Sequence, residues 1–192
     1  PLGADIRPIV GIDDYLFDIS VTANRSDCQC IFGMAREVAA VLKKPLKNLD
    51  LTYQTHPTKK KIEVEVREPA LCGRYMGQCV EEVKIAPSPR AMRRRLALCG
   101  LRSVSNIVDI TNYVLLEMGQ PMHAFDYNFI KGGKIVVRRA DAKEKITTLD
   151  GQEFTLDPSN LLIADGERGI ALAGIMGGAN SEIKETTEAV FF

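Results

Sequence analysis

The sequence predicts an α+β fold, with helices packed on mixed, mainly antiparallel sheet in a layered β/β/α sandwich. Two observations carry this. Helical periodicity is confined to three stretches, 28–42, 88–100 and 105–118. From Lys134 onward the pattern changes to short strand-like runs punctuated by Asp150–Gly151 and Asp165–Gly166, both hairpin signals. The order, helices first and then paired strands, places the helices together against a sheet rather than alternating with its strands.

The bounds fit such a domain. The chain has 192 residues, enough to bury a sizeable core without staples. Lys and Arg (25) balance Asp and Glu (25), so no global field steers the chain to nucleic acid or membrane, and any such contact comes from a local patch. The five cysteines are scattered. Cys28 and Cys30 form one close pair, no second pair completes a zinc site, and the thiols read as reduced and cytosolic. No apolar run reaches the ~18 residues of a membrane span. The opening PLGAD lacks a methionine and the closing AVFF stops inside an apolar run, which reads as a fragment of a longer chain.

Taken in order, residues 15–22 (YLFDISVT) alternate as a strand does. Asp27 is placed to cap a helix over 28–42, with Ile31, Met34, Ala35, Val38, Val41 and Leu42 on one face and Arg36–Glu37 turned outward or sideways; Pro45 stops it. Residues 46–60 form a connector holding His56, a solvated linker histidine. Ile62–Val66 alternates strictly and reads as a half-buried strand, and a second strand is expected across 74–83. Ser88–Pro89 opens a helix that Gly100 ends. Its Arg90, Arg93, Arg94 and Arg95 suit either a solvated face, with Met92, Leu96 and Cys99 turned inward, or contact with RNA phosphates.

The next helix, 105–118, carries Ile107, Ile110, Val114, Leu115 and Met118 on one stripe, yet has Thr111 and Asn112 in its middle. A buried asparagine needs hydrogen-bond partners, so it joins a core network or faces a pocket. Gly119 ends the helix and Pro121 forbids its continuation. Strands are then expected at 134–138, 146–149, 154–156, 161–164 and 170–175. The run Ala171 to Gly178 is small and glycine-rich, suited either to tight strand packing or to backbone approach toward a ligand.

No P-loop, dinucleotide fingerprint, zinc-protease motif or nucleophile elbow is present. His123 follows the Gly119–Gln120–Pro121 turn and precedes Phe125–Asp126; Asp126 either orients it or caps the next turn. A lone histidine can be a packed residue or a functional one. Arg102, between two helices, suits a phosphate or carboxylate. An imidazole, an amide and a cation in one segment favour positioning a polar ester and a water over covalent catalysis.

The segment GLRSVSNIVDITNYVLLEMGQPMHAFD (100–126) resembles the central, editing domain of the bacterial phenylalanyl-tRNA synthetase β subunit. So do TANRSDC with GMAREVAAVL (22–42), ITTLDGQ (146–152), IADG (163–166) and ALAGIMGGANSEI (171–183). By this resemblance, residues 1–45 end the preceding module, 46–60 connect, and 61–192 form the editing domain. The activity implied is hydrolysis of tyrosine mischarged onto phenylalanine tRNA. In this scheme His123, Asn112 and Thr111 do the catalytic work, with His123 positioning the water or terminal ribose. Gly177, Ala173 and Met122 line the amino-acid pocket, while Arg102, Arg93 and Arg94 hold tRNA. The resemblance implies no metal and no cofactor in these residues. ATP and Mg2+ belong to the holoenzyme, an (αβ)2 heterotetramer with an α subunit, in the cytoplasm. It also implies a glutamate reading the tyrosine hydroxyl, just past Phe191–Phe192, so the discriminating site is expected to be incomplete. The alternative is a non-catalytic module of the same synthetase serving tRNA docking or subunit packing.

Overall fold

In the computed structural model, which describes residues 2–192, the chain begins with one helical turn, α1 (Arg7–Val10), closed by Gly11. Residues 12–22 then run on without hydrogen-bonding to any strand among the described residues, with Tyr15, Leu16 and Phe17 exposed. The strand expected at 15–22 is therefore not formed. Alternation supplies a strand's side-chain pattern, but a strand also needs a neighbouring ladder to bond its backbone.

Helix α2 spans Ile31–Leu42, starting three residues later than expected. Asp27 does not cap it, because Arg25 takes the Asp27 carboxylate through Nε and Nη2 at 3.1 and 2.9 Å. Residues Ser26–Cys28 form a 3-10 turn, and Cys30 becomes the cap, its Sγ accepting from the Gly33 N–H at 3.3 Å. Of the apolar residues read as sharing one face, Ile31, Val38, Val41 and Leu42 are exposed. Glu37 is half-buried, turned sideways, and pairs with Arg25 at 2.6 Å.

Helix α3 covers Arg90–Leu98 and helix α4 covers Asn106–Met118. Leu96 is fully buried on α3, whereas Cys99 is exposed rather than inward. The α4 termini follow their sequence: Ser105 accepts from the Val108 N–H, and Gly119 adopts φ 72°, the left-handed conformation that closes a helix at little cost to glycine. These helices, with Pro87–Gln120 and the residues up to Leu49, form one compact unit.

The second unit combines Asp50–Ala86 with Pro121–Phe192. Its strands are β1 (Glu63–Val66), β2 (Cys79–Val80), β3 (Phe125–Asp126), β4 (Lys134–Arg139), β5 (Lys145–Thr147), β6 (Glu153–Thr155), β7 (Leu161–Ala164), β8 (Gly169–Leu172), β9 (Met176–Gly177) and β10 (Val190–Phe191). A five-stranded sheet runs β1-β4-β7-β8-β9, with β1 and β4 parallel and the other pairs antiparallel. A three-stranded sheet runs β2-β10-β3, and β5 pairs with β6. Of the strand expected across 74–83, Cys79–Val80 forms the strand, and Gln78 extends its pairing by exchanging both backbone hydrogen bonds with Phe192, at 3.1 and 3.0 Å.

Strand β4 buries Ile135, Val136 and Val137 in succession, as a central strand covered on both faces must. One apolar cluster joins Phe125 and Phe191 of the three-stranded sheet to Ile135, Ile170 and Ala171 of the larger sheet. A second joins Leu162 to Ile146 and Leu156 around the β5–β6 hairpin. The fold is α+β, and both hairpin signals are used. Asp150 accepts the Thr148 hydroxyl at 2.5 Å, and Asp165 accepts the amides of Glu167, Arg168 and Lys131. The run 170–175, expected as one strand, breaks at Gly174 and returns as β9.

Candidate functional site

Three separated motifs meet at His123 within the second unit. The Gly119–Pro121 turn hands the chain to β3, and His123 lies two residues before Phe125. The imidazole meets the Phe125 ring edge-on, with centroids 4.6 Å apart and planes at 69°. Strand β9 supplies Gly177, paired with Ala171 of β8. A Cβ at Gly177 would stand 2.4 Å from His123 Cε1, 2.6 Å from Nε2 and 3.0 Å from Leu149 Cδ1. Only the missing side chain lets the imidazole lie against the β9 backbone. The third motif is the Asp150–Gly151 turn: the Leu149 N–H donates to Gly177 O at 3.0 Å, holding the turn against β9.

Leu149 is a residue that sequence reasoning passed over. In sequence it is only an apolar residue before the Asp150–Gly151 turn; in the fold it stays 39% exposed. Met122 and Met176, neighbours in sequence of His123 and Gly177, are exposed to a similar degree, 38% and 39%. Beside the imidazole and the glycine backbone, Leu149 is an apolar side chain that still faces solvent, a composition that suits a small-molecule site.

Burial pushes the His123 pKa below its ordinary 6.5. The ring is therefore neutral at pH 7, with one nitrogen able to accept and the other to donate. Asp126 does not orient it. Its carboxylate accepts the Asn128 N–H at 2.9 Å and the Thr187 hydroxyl at 2.6 Å, so it caps the turn after β3.

A pH prediction follows. The folded pKa is depressed, so below 6.5 the unfolded state binds the proton that the folded state resists. His123's contribution is fully present above 6.5 and is lost as pH falls from 6.5 through the lower folded value. An NMR titration, with the His123 signal assigned by its loss in His123→Gln, should give a midpoint below 6.5. A His123 midpoint at or above 6.5 would refute the buried, neutral ring.

The other expected site residues fall as follows. Ala173, just past β8, is half-buried and donates its N–H to Leu161 O at 3.0 Å. Thr111, Asn112, Arg102, Arg93 and Arg94 belong to the first unit. Thr111 donates its hydroxyl to Val108 O at 2.7 Å, satisfying the group along its own helix, and Asn112 is half-buried on α4. Arg102 and Arg93 are exposed. Arg94 bonds Asp14 at 2.9 Å, Arg95 bonds the Tyr113 hydroxyl at 2.5 Å and Arg90 bonds Ile9 O, so three of the four α3 arginines have partners within the unit. Asp27, Cys28 and Glu37 bring donor atoms within 4.8 Å of one another, but the Arg25 guanidinium already bonds all three.

Comparison with known proteins adds to this geometry. The family model described as B3/4 domain matches residues 71–192. The phenylalanine–tRNA ligase β subunit of Syntrophus aciditrophicus is 46% identical over 192 residues, covering 99% of this chain and 24% of that protein. Its counterpart in Carboxydothermus hydrogenoformans is 47% identical over 191 residues, covering 100% and 24%. The chain spans about a quarter of the length of these relatives. An N-terminal fragment of the phenylalanyl-tRNA synthetase β subunit from Pyrococcus horikoshii aligns with a TM-score of 0.51 at 18% identity, covering 93% of this chain and 57% of that one, a likeness of fold.

Proposed function

The chain belongs to the B3/4 domain family, and from that premise we propose that it is the editing domain of a phenylalanine–tRNA ligase β subunit, hydrolysing Tyr-tRNA(Phe). The observation that carries this reading is the neutral His123 ring lying against Gly177, with Leu149 closing the third side.

A second site is needed because a pocket shaped for phenylalanine discriminates weakly against an isostere that adds only a hydroxyl. A site that hydrogen-bonds the hydroxyl rejects phenylalanine, which would leave buried polar groups unpaired. The ester is already activated. A water oxygen adds to its carbonyl carbon, the bond to the ribose oxygen breaks, and the water's proton ends on that oxygen, giving free tyrosine and intact tRNA. His123 holds the attacking water or the terminal ribose by hydrogen bonding. Gly177, Ala173 and Met122 border the amino acid, and Arg102, Arg93 and Arg94, on the first unit, receive the tRNA.

The same reading gives the partners: the 3′ end of tRNA(Phe), and an α subunit in an (αβ)2 assembly in the cytoplasm. ATP and Mg2+ serve the ligation reaction of the holoenzyme. Among the described residues no helix is long and apolar enough to cross a membrane.

The test is His123→Ala in the full-length ligase. Deacylation of Tyr-tRNA(Phe) should slow about tenfold, the worth of one productively placed hydrogen bond in the transition state, while Phe-tRNA synthesis continues unchanged. Unaltered deacylation would favour the non-catalytic module, one that only docks tRNA or packs against a subunit.

A further inference from the structure

A buried carboxylate on α4 has no part in the chemistry above. Asp109 is fully buried in the helix's first turn. One oxygen accepts two hydroxyls, from Ser88 and Ser103, each at 2.5 Å; the other accepts the Val104 N–H at 2.8 Å. Burial works to raise its pKa, but the Ser103 and Ser88 hydroxyls, the Val104 amide and the Arg93 charge together hold it below the ordinary 3.8. The anion also lies near the positive end of the α4 dipole.

What these bonds connect is specific. Ser88 lies just before α3 and Ser103 lies beyond its end, so one carboxylate ties down both flanks of that helix. Between α3 and α4 the chain is anchored twice. On the α3 side, the N–H groups of Gly100 and Leu101 donate to Ala97 O at 3.0 Å and Leu96 O at 2.9 Å. On the α4 side, Ser103 and Val104 are held by Asp109, and Ser105 caps the helix. The single residue between these two sets of anchors is Arg102, whose side chain is exposed.

We propose that Asp109 is a positioning residue for Arg102: by clamping Ser103 and Val104 it fixes the backbone of the α3–α4 turn from which the guanidinium reaches a phosphate of the bound RNA. This rests on the reading that the chain receives the tRNA 3′ end, and it adds a source of preorganisation to it. A guanidinium on a mobile loop loses more freedom on binding than one whose backbone is held on both sides. A purely structural role would account for Asp109–Ser88 alone. The second hydroxyl and the amide lie on the far side of Arg102 from α3, where they constrain the turn itself.

The experiment is a double-mutant cycle in the full-length ligase, read as Kd for tRNA(Phe) against salt and as kcat and KM for deacylation of Tyr-tRNA(Phe). Arg102→Ala should weaken tRNA binding about tenfold and lower the salt slope by about one. Asp109→Asn, which keeps the shape but loses the charge, and Ser103→Ala, which leaves Ser88 bonded, should each weaken binding about three- to tenfold and raise KM more than they lower kcat. Ser103→Thr, which keeps the hydroxyl, should restore binding. In the Arg102→Ala background, Asp109→Asn and Ser103→Ala should have no further effect on binding. Effects that persist at full size there would overturn the proposal and leave Asp109 a structural residue. No effect of Arg102→Ala on tRNA binding would overturn it too, by removing the phosphate contact. Deacylation itself is tested separately by His123→Ala, so the failure of the broader reading is distinguishable.

Discussion

Replacing Gly177 with alanine is expected to lower deacylation about 100-fold, more than removing His123 itself. A methyl at this position would sit 2.4 Å from His123 Cε1, and ordinary contact begins near 3.4 Å, so the ring must retreat by about 1 Å. Displacement of that size at a reacting centre costs about 100-fold in rate. The ring has little room to yield, because its other contact is edge-on to Phe125, which is fully buried. The new methyl also approaches Leu149 Cδ1 at 3.0 Å, so it narrows the site as it moves the imidazole. His123→Ala, in contrast, leaves space that a second water can fill, and water-mediated bonding recovers part of what the imidazole supplied. Gly177 does not have a positive φ, so alanine adds no backbone strain, and the loss of stability is the crowding alone, about 1–3 kcal/mol. The check compares deacylation of Tyr-tRNA(Phe), the NMR titration of His123 and thermal unfolding across Gly177→Ala, His123→Ala and the pair. If the single Gly177 variant deacylates at the parent rate, the contact has no part in the chemistry.

How far the sequence revealed this arrangement depended on how far apart the interacting residues lie. Ser105 and Gly119 bound α4 because caps act within one helical turn, and both Asp–Gly hairpins formed because a turn is fixed by its own few residues. Local pattern failed wherever a distant partner decided the outcome. Asp27 has the composition of a cap, but Arg25 claimed its carboxylate. Asp126 is adjacent enough to His123 to suggest an orienting pair, but Thr187, 61 residues later, supplied a hydroxyl that fixes it elsewhere. Tyr15 to Thr22 alternates like a strand, but alternation does not supply a pairing neighbour. At the site, His123 and the glycine-rich run were both visible as unusual stretches. Their contact was not, because 54 residues separate His123 from Gly177 and only the pairing of β8 with β9 delivers the glycine to the ring. Asp109 was hidden for a related reason: two of the three groups it binds flank α3 and Arg102, and nothing in the helical spacing of 105–118 marks one acid as buried.

The largest stability effect should come from Phe125→Ala, a loss of about 3–5 kcal/mol, the range for a large aromatic truncated in a packed core. Phe125 is fully buried and pairs directly with Phe191 across β3 and β10, both part of the apolar cluster that includes Ile135 and Ile170. Truncation therefore leaves a cavity where the three-stranded sheet meets the five-stranded sheet, and those neighbours are β-strand residues that collapse poorly into space. Domains of ordinary stability have about 5–15 kcal/mol in hand, so the loss takes a large share. Phe125→Leu keeps most of the volume and should cost about 1.5 kcal/mol or less, while still removing the ring that meets His123. The two variants thus separate support of the fold from support of the imidazole. In Phe125→Leu the sheets persist and the His123 titration moves toward 6.5; in Phe125→Ala amide protection in β4 and β10 falls with the urea midpoint. The chain has two compact units, so site-resolved hydrogen exchange, rather than one global transition, is the proper measure. If Phe125→Ala loses less than about 1 kcal/mol of protection at Val136 and Val190, then the contact between the two sheets does not hold the second unit together.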